Sequence, residues 1–165
     1  MELTVYCLTH GKTKEHGDTP KTYDADLTEE TVKQLKQLEI PEHDLVVCGE
    51  MARHKQTAKA VGVYPDTNSP WVGNDHVMFG LMENNDWVSY IWDFFQTLIR
   101  RYEGNSILVI TSRYLPVLLQ YCQNGGQAKY GLFKDFSVRI ENNETIDGIS
   151  MPPSGAIIKV TIDAT

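Results

Sequence analysis

Cysteine is scarce and poorly spaced. Cys7, Cys48 and Cys122 are the only three in 165 residues, and no two form a CxxC pair. That excludes a disulfide framework of the secreted kind and a thiolate zinc site. Long apolar runs are missing as well: nothing approaches the roughly 18 consecutive apolar residues that span a bilayer, so no membrane partner is expected. The opening Met-Glu-Leu-Thr-Val-Tyr has no basic segment followed by an apolar one, and the expected compartment is the cytoplasm. An excess of positive charge is missing too. Fifteen Lys and Arg stand against 22 Asp and Glu, a net charge of -7, which argues against nucleic acid as a partner. A small local cationic pocket remains compatible with that balance. The five histidines (His10, His16, His43, His54, His76) show neither HExxH nor paired helical spacing, so no metal is expected. Gly125-Gly126 lacks the Gly-Lys-Ser/Thr of a phosphate-binding loop, and no cofactor is expected either.

What is present is a globular composition, 41% hydrophobic and 10% aromatic. At this length one domain over residues 1–165 is expected. Apolar, β-branched runs predict strands at Leu3–Leu8, Leu45–Cys48 and Ile107–Ile110, with later ones at Ser137–Ile140, near Ile146–Ser150 and at Ala156–Ile162. Thr28, followed by Glu29 and Glu30, predicts a helix start, with Val32, Leu35 and Leu38 on one face and Pro41 as its stop. A second helix is expected over Arg53–Val61 with Ala58 and Val61 inward, and His54 and Lys55 on the solvated side. Residues 62–85 read as an excursion rich in Pro, Gly, Asn and Asp. The strongest helical period follows: Trp87, Ile91, Phe94, Phe95, Leu98 and Tyr102 on one side, with Asp93, Gln96, Arg100 and Arg101 opposite. Leu115–Cys122 reads as a further helix. The alternation is that of an α/β fold, a three-layer α/β/α sandwich around a largely parallel sheet. Ligands of such sheets bind beyond the carboxyl ends of the strands.

Three strand ends therefore carry the functional reading. The first gives Thr9-His10-Gly11-Lys12-Thr13, the second Cys48 through Ala58 with Arg53, and the third Thr111-Ser112-Arg113-Tyr114. A strand-end imidazole supplies a nucleophilic nitrogen, and a guanidinium fork holds two phosphoryl oxygens; together they suit phosphoryl chemistry. Cys48 and Arg53 lie one residue too close for a cysteine-phosphatase loop, so Cys48 reads as a small buried hydrophobe.

These segments resemble the histidine phosphatase superfamily, which includes the phosphoglycerate mutases. Leu8-Thr9-His10-Gly11-Lys12-Thr13 is similar to its Arg-His-Gly-Glu-Thr signature, and Asp26-Leu27-Thr28 to the Leu-Thr segment that follows. Asp44 through Ala58 is similar to its strand and S-S-x-x-x-R-A-x-Q-T-A helix, with Arg53 and Gln56-Thr57-Ala58 in register. Ile107–Leu119 resembles the V-L-V-V-S-H-G strand and helix, and Pro153–Ile158 the last strand. The resemblance implies a phosphoglycerate mutase-like fold and a phosphate site.

It also implies roles. His10 matches the nucleophile that becomes phosphohistidine, and Arg53 matches the second arginine. Thr9 stands in place of the first arginine, and Ser112 in place of the second histidine, with Arg113 beside it. Counting back from Phe79-Gly80 places His76 at the position of the acid. His16 falls where phosphoglycerate mutases have a phosphate-binding asparagine, and Gly11 belongs to the same signature. Losing a preorganised donor costs on the order of a hundred- to a thousandfold in rate. Two readings follow: a divergent domain that binds phosphate or a phosphorylated ligand with catalysis weak or lost, and an active phosphomonoesterase or phosphohistidine phosphatase. In both the partner is a phosphorylated small molecule or a phosphoprotein.

Overall fold

The computed structural model describes residues 2–17, 23–73, 86–124 and 133–164. Eight residues, Glu2–Thr9, form strand β1, and Leu45–Cys48 form β2. Thr67–Asn68, Ser106–Thr111 and Ile157–Asp163 form β3, β4 and β5. The sheet order is β3-β2-β4-β1-β5. The first four strands run parallel, while β5 pairs antiparallel with β1. This is the expected largely parallel sheet, with β3 as a short edge strand inside the excursion that composition alone does not reveal.

Alternation along the strands separates two cores. Leu3, Val5, Cys7, Val47, Ile107 and Val109 face one side, and Leu8, Val46, Cys48, Leu108 and Ile110 the other. The first face is covered by α3 (Asp86–Tyr102), α4 (Tyr114–Gln123) and α5 (Phe133–Glu141). Ala58 and Val61 of α2 (Ala52–Val61) pack on the second. Helix α1 (Glu29–Leu35) packs beside α2. The result is the expected three-layer α/β/α arrangement, because a central sheet with two apolar faces needs helices on both.

Local chemistry sets the helix ends. Thr28 caps α1, its hydroxyl accepting from the Thr31 amide at 3.3 Å, as the sequence predicts. Leu35 is buried, but α1 stops there and not at Pro41, and Thr31 takes the inward place expected of Val32. Gly62 closes α2 at φ 78°, a left-handed conformation that glycine adopts without steric cost. Pro116 sits in the first turn of α4, where a missing N–H breaks no helical bond.

Three expectations are corrected. Ser137–Ile140 is not a strand; it lies in α5, where Phe133, Ser137 and Ile140 are buried at helical spacing. Ile146–Ser150 is not a strand either. Ile146 and Ile149 form one antiparallel bridge around a turn with Asp147 and Gly148 at positive φ. Gln96 is buried rather than solvated, donating to the Asp163 carbonyl at 3.0 Å and tying α3 to the end of β5.

Candidate active site

Register brings the three strand ends together. Thr9 lies opposite Thr111, and Cys48 opposite Ile110. The ladder continues one residue past each end: the His10 amide donates to Thr111 O and the Gly49 amide to Ile110 O, both at 2.9 Å. His10 is thereby fixed at the lip of the sheet by its backbone. Its side chain is fixed by a second contact, Nδ1 to Gly11 O at 2.8 Å. A carbonyl only accepts, so Nδ1 carries the proton and the lone pair belongs to Nε2.

Arg53 reaches the same place from the first turn of α2. Met51, at the N-cap, offers no side-chain bond to the helix, and Asp24 substitutes from a distant loop by accepting from the Ala52 amide at 2.8 Å. Arg53 is buried, its Nη2 donates to the Tyr23 carbonyl, and its Cζ lies 4.2 Å from the centre of the Tyr23 ring. Tyr23 in turn meets the His16 ring at 4.6 Å. The Gln56-Thr57 pair anchors α2 to the β1 side. Gln56 accepts from the Leu27 amide at 2.8 Å and donates to Asp26 at 2.6 Å. Thr57 Oγ1 accepts from the Gly11 amide at 3.1 Å and donates to Arg53 O at 2.7 Å. One hydroxyl thus couples the loop of His10 to the backbone of Arg53.

His10, Arg53, Ser112 and Arg113 line one cleft of about 400 Å³, together with His16 and Tyr23. Lys12, Thr13, Tyr114 and Ser154 complete its walls. Three fixed cations face this space, and among the described residues no carboxylate lines it. Arg113 is held there by an Nε bond to Pro152 O at 2.6 Å. Such a lining favours a multiply charged anion with oxygen acceptors.

Two expected site residues are placed elsewhere. Thr9 is fully buried and its hydroxyl bonds the loop before β5, donating to Pro153 O at 2.8 Å and accepting from the Ala156 amide at 2.9 Å. Gly11 spends its amide on Thr57 and does not line the cleft. His76 lies outside the described residues. Cys48 is fully buried beneath the site, and burial pushes its thiol up to about 12, so it is no thiolate at neutral pH. Sequence reasoning did not select Lys12, Tyr23 or Tyr114; Lys12 stood within the first strand-end motif and Tyr114 within the third, while nothing in the local pattern marks Tyr23.

His54 requires a correction. It is not on a solvated face but fully buried, with its ring 5.4 Å from that of His10 and nearly perpendicular to it, at 79°. Lys55 beside it is exposed, as expected. Burial holds the His54 imidazole well below its usual pKa, and the charges of His10 and Arg53 act in the same direction. Among the described residues no cluster of His, Cys, Asp and Glu could hold a metal.

No family model and no curated protein sequence matches the chain. Solved structures do. The protein histidine phosphatase SixA, solved with tungstate, is 19% identical with a TM-score of 0.54, over 98% of this chain and 89% of that one. The alpha-ribazole phosphatase of Shigella flexneri is 18% identical with a TM-score of 0.52, over 73% and 79%. The phosphoserine phosphatase of Entamoeba histolytica, in complex with phosphoserine, is 12% identical with a TM-score of 0.52, over 72% and 79%. The sheet order, the two helical layers and these structural likenesses agree: the chain has the phosphoglycerate mutase-like fold that these solved phosphatases also have.

Proposed function

We propose that the cleft binds the phosphoryl group of a phosphorylated small molecule or a phosphoprotein, and that His10 turns it over slowly through a phosphohistidine. The observation that carries this reading is the convergence of His10, Arg53 and Arg113 on one cleft lined by no carboxylate among the described residues. Arg53 and Arg113 offer guanidinium donors to phosphoryl oxygens, and Lys12 adds a point charge at the mouth. The SixA structure with tungstate, a phosphate-like oxyanion, supports an anion in a site of this fold.

The chemistry follows from the ring orientation. With Nδ1–H donated to Gly11 O, Nε2 attacks phosphorus, and the bond from phosphorus to the leaving oxygen or nitrogen breaks. Water then attacks phosphorus and the N–P bond breaks, releasing phosphate and restoring His10. The leaving group departs without a proton or takes one from His76, the candidate acid. Aryl phosphates and phosphohistidine, whose leaving groups need the least help, are the favoured substrates.

Turnover is slow because two expected donors are absent. Thr9 supplies no charge and its hydroxyl is committed to the loop before β5. Ser112 is neutral. Each missing donor is worth on the order of a hundredfold or more in rate, and Arg113 offsets part of that loss.

Phosphate binding followed by calorimetry tests the reading. Arg53→Ala is expected to weaken inorganic phosphate by roughly 10- to 100-fold, the range for charge-assisted hydrogen bonds. Unchanged affinity in a folded Arg53→Ala protein would remove the site. A second arm uses His76→Gln: slower turnover of alkyl phosphates with unchanged turnover of aryl phosphates identifies His76 as the acid.

A further inference from the structure

His54 does not line the cleft, yet it touches the residue on which the chemistry turns. It sits in the first turn of α2 in a chamber with glycine on two sides. A Cβ added to Gly49 would stand 2.6 Å from the ring atoms Cγ and Nδ1, and one added to Gly73 would stand 2.7 Å from Nε2. Gly49 follows β2 and Gly73 lies within the 62–85 excursion, so two segments distant in sequence leave a slot shaped for a flat ring. The imidazole of His10 stands against this ring, edge to face.

The polar atoms of His54 make the choice of residue informative. Among the described residues neither Nδ1 nor Nε2 has a hydrogen-bond partner. An apolar side chain would fill the chamber without burying an unsatisfied donor and acceptor. The helix pattern that the sequence resembles has alanine here, between the arginine and the Gln-Thr-Ala that this chain retains. A ring in this position is therefore a departure at the one place where it meets His10. Among the described residues, the charged or titratable groups facing it are His10, from the end of β1, and Arg53 on its own helix; burial first, and these two after it, disfavour a cation on the ring.

We propose that His54 is a positioning residue for His10. Its ring, held flat between Gly49 and Gly73, fixes the plane of the His10 imidazole, so that Nδ1–H stays on Gly11 O and the lone pair stays on Nε2. This rests on the reading of His10 as the nucleophile facing the phosphoryl group. An imidazole from α2 thus stands against His10 from behind the cleft, while serine occupies the place beyond β4 where the resemblance calls for a histidine.

The test is the tautomeric state of His10, read from ¹⁵N-histidine NMR at neutral pH in wild type, His54→Ala and His54→Phe. Wild type is expected to show a single His10 tautomer with the proton on Nδ1. His54→Ala is expected to show a mixture, with kcat about tenfold lower or more, because misplacing a reacting group carries a penalty of that order or larger. Phosphate affinity is expected to stay unchanged, since Arg53 and Arg113 hold the anion. His54→Phe, which restores a flat ring without nitrogens, is expected to recover the single tautomer. A folded His54→Ala protein with an unaltered His10 spectrum overturns the proposal, as does a tautomer mixture in wild type. Should His54→Ala fail to fold, His54→Leu, which fills the chamber without a flat ring, is judged by the same criterion. Adding inorganic phosphate to wild type separates the two readings: a His10 resonance that ignores phosphate defeats the phosphoryl reading and leaves the tautomer comparison standing.

Discussion

His54 shows what a single buried imidazole does to stability as well as to its neighbour. Its folded pKa lies below the value of about 6.5 expected for an unfolded chain, so the unfolded state binds the proton more readily. Stability from this group is complete above pH 6.5 and is lost as the pH falls below it. Stability is therefore expected to be lower at pH 5.5 than at pH 7.5. Urea denaturation at the two pH values measures it, and subtracting the same difference in His54→Ala isolates this residue from the other histidines. An identical pH dependence in the two proteins would show that His54 titrates normally. Arg53 is governed by shape as much as by charge: it stacks on Tyr23 while donating to its carbonyl. Arg53→Lys keeps the charge and loses the planar fork, and is expected to bind phosphate about tenfold more weakly. Equal affinity by calorimetry would mean that charge alone suffices.

At the scale of elements, the site depends on how α2 is fastened. Thr57 Oγ1 joins the Gly11 amide to the Arg53 carbonyl. Thr57→Val leaves a buried amide without its acceptor and is expected to lower stability by about 1–3 kcal/mol. Phosphate affinity is expected to fall with it, because the His10 loop and Arg53 lose their common tie. The slot around His54 is a second fastening. Gly49→Ala brings a Cβ against the ring and is expected to destabilise the wild-type background by about 1–3 kcal/mol. In the His54→Ala background most of that cost should vanish, and a double-mutant cycle measures the coupling. Additive losses would mean that the ring and the glycine do not press on each other.

The elements also show what the residues revealed in advance. Strands β1, β2 and β4 announced themselves as β-branched runs, and Thr28 as a cap, because these signals are local. Ser137–Ile140 misled because a short segment with two apolar residues fits either period; the helix becomes visible only when Phe133 is counted with Ser137 and Ile140. His10, Arg53 and the Ser112-Arg113 turn were legible because strand ends in a parallel sheet meet on one edge. His54 was not, since its burial is decided by Gly49 and Gly73, and no local period carries that information. Tyr23 was equally hidden: its place over Arg53 is set by contacts between residues distant in sequence, the Arg53 bond to its carbonyl and the Asp24 bond to the Ala52 amide.

Across the whole molecule, a net charge of -7 surrounds a cleft faced by Lys12, Arg53 and Arg113. Buried and partly buried charges are screened less by salt than exposed ones. Phosphate affinity is therefore expected to fall only a few-fold between about 0.01 and 0.15 M salt, because Arg53 is buried; a much steeper fall would place the anion on the exposed Lys12 and Arg113 alone. No helix among the described residues is long and apolar enough to cross a membrane. The fold supplies the three converging strand ends; on the proposed reading, Thr9, His54 and Ser112 set how well they perform.

The most direct measurement is turnover of an aryl phosphate and of a phosphohistidine peptide by wild type and by His10→Ala. Slow release of phosphate by wild type, clearly above that of His10→Ala on at least one substrate, is the expected outcome. Release by wild type no faster than by His10→Ala on both would mean that His10 is not a nucleophile and that the cleft does no phosphoryl chemistry.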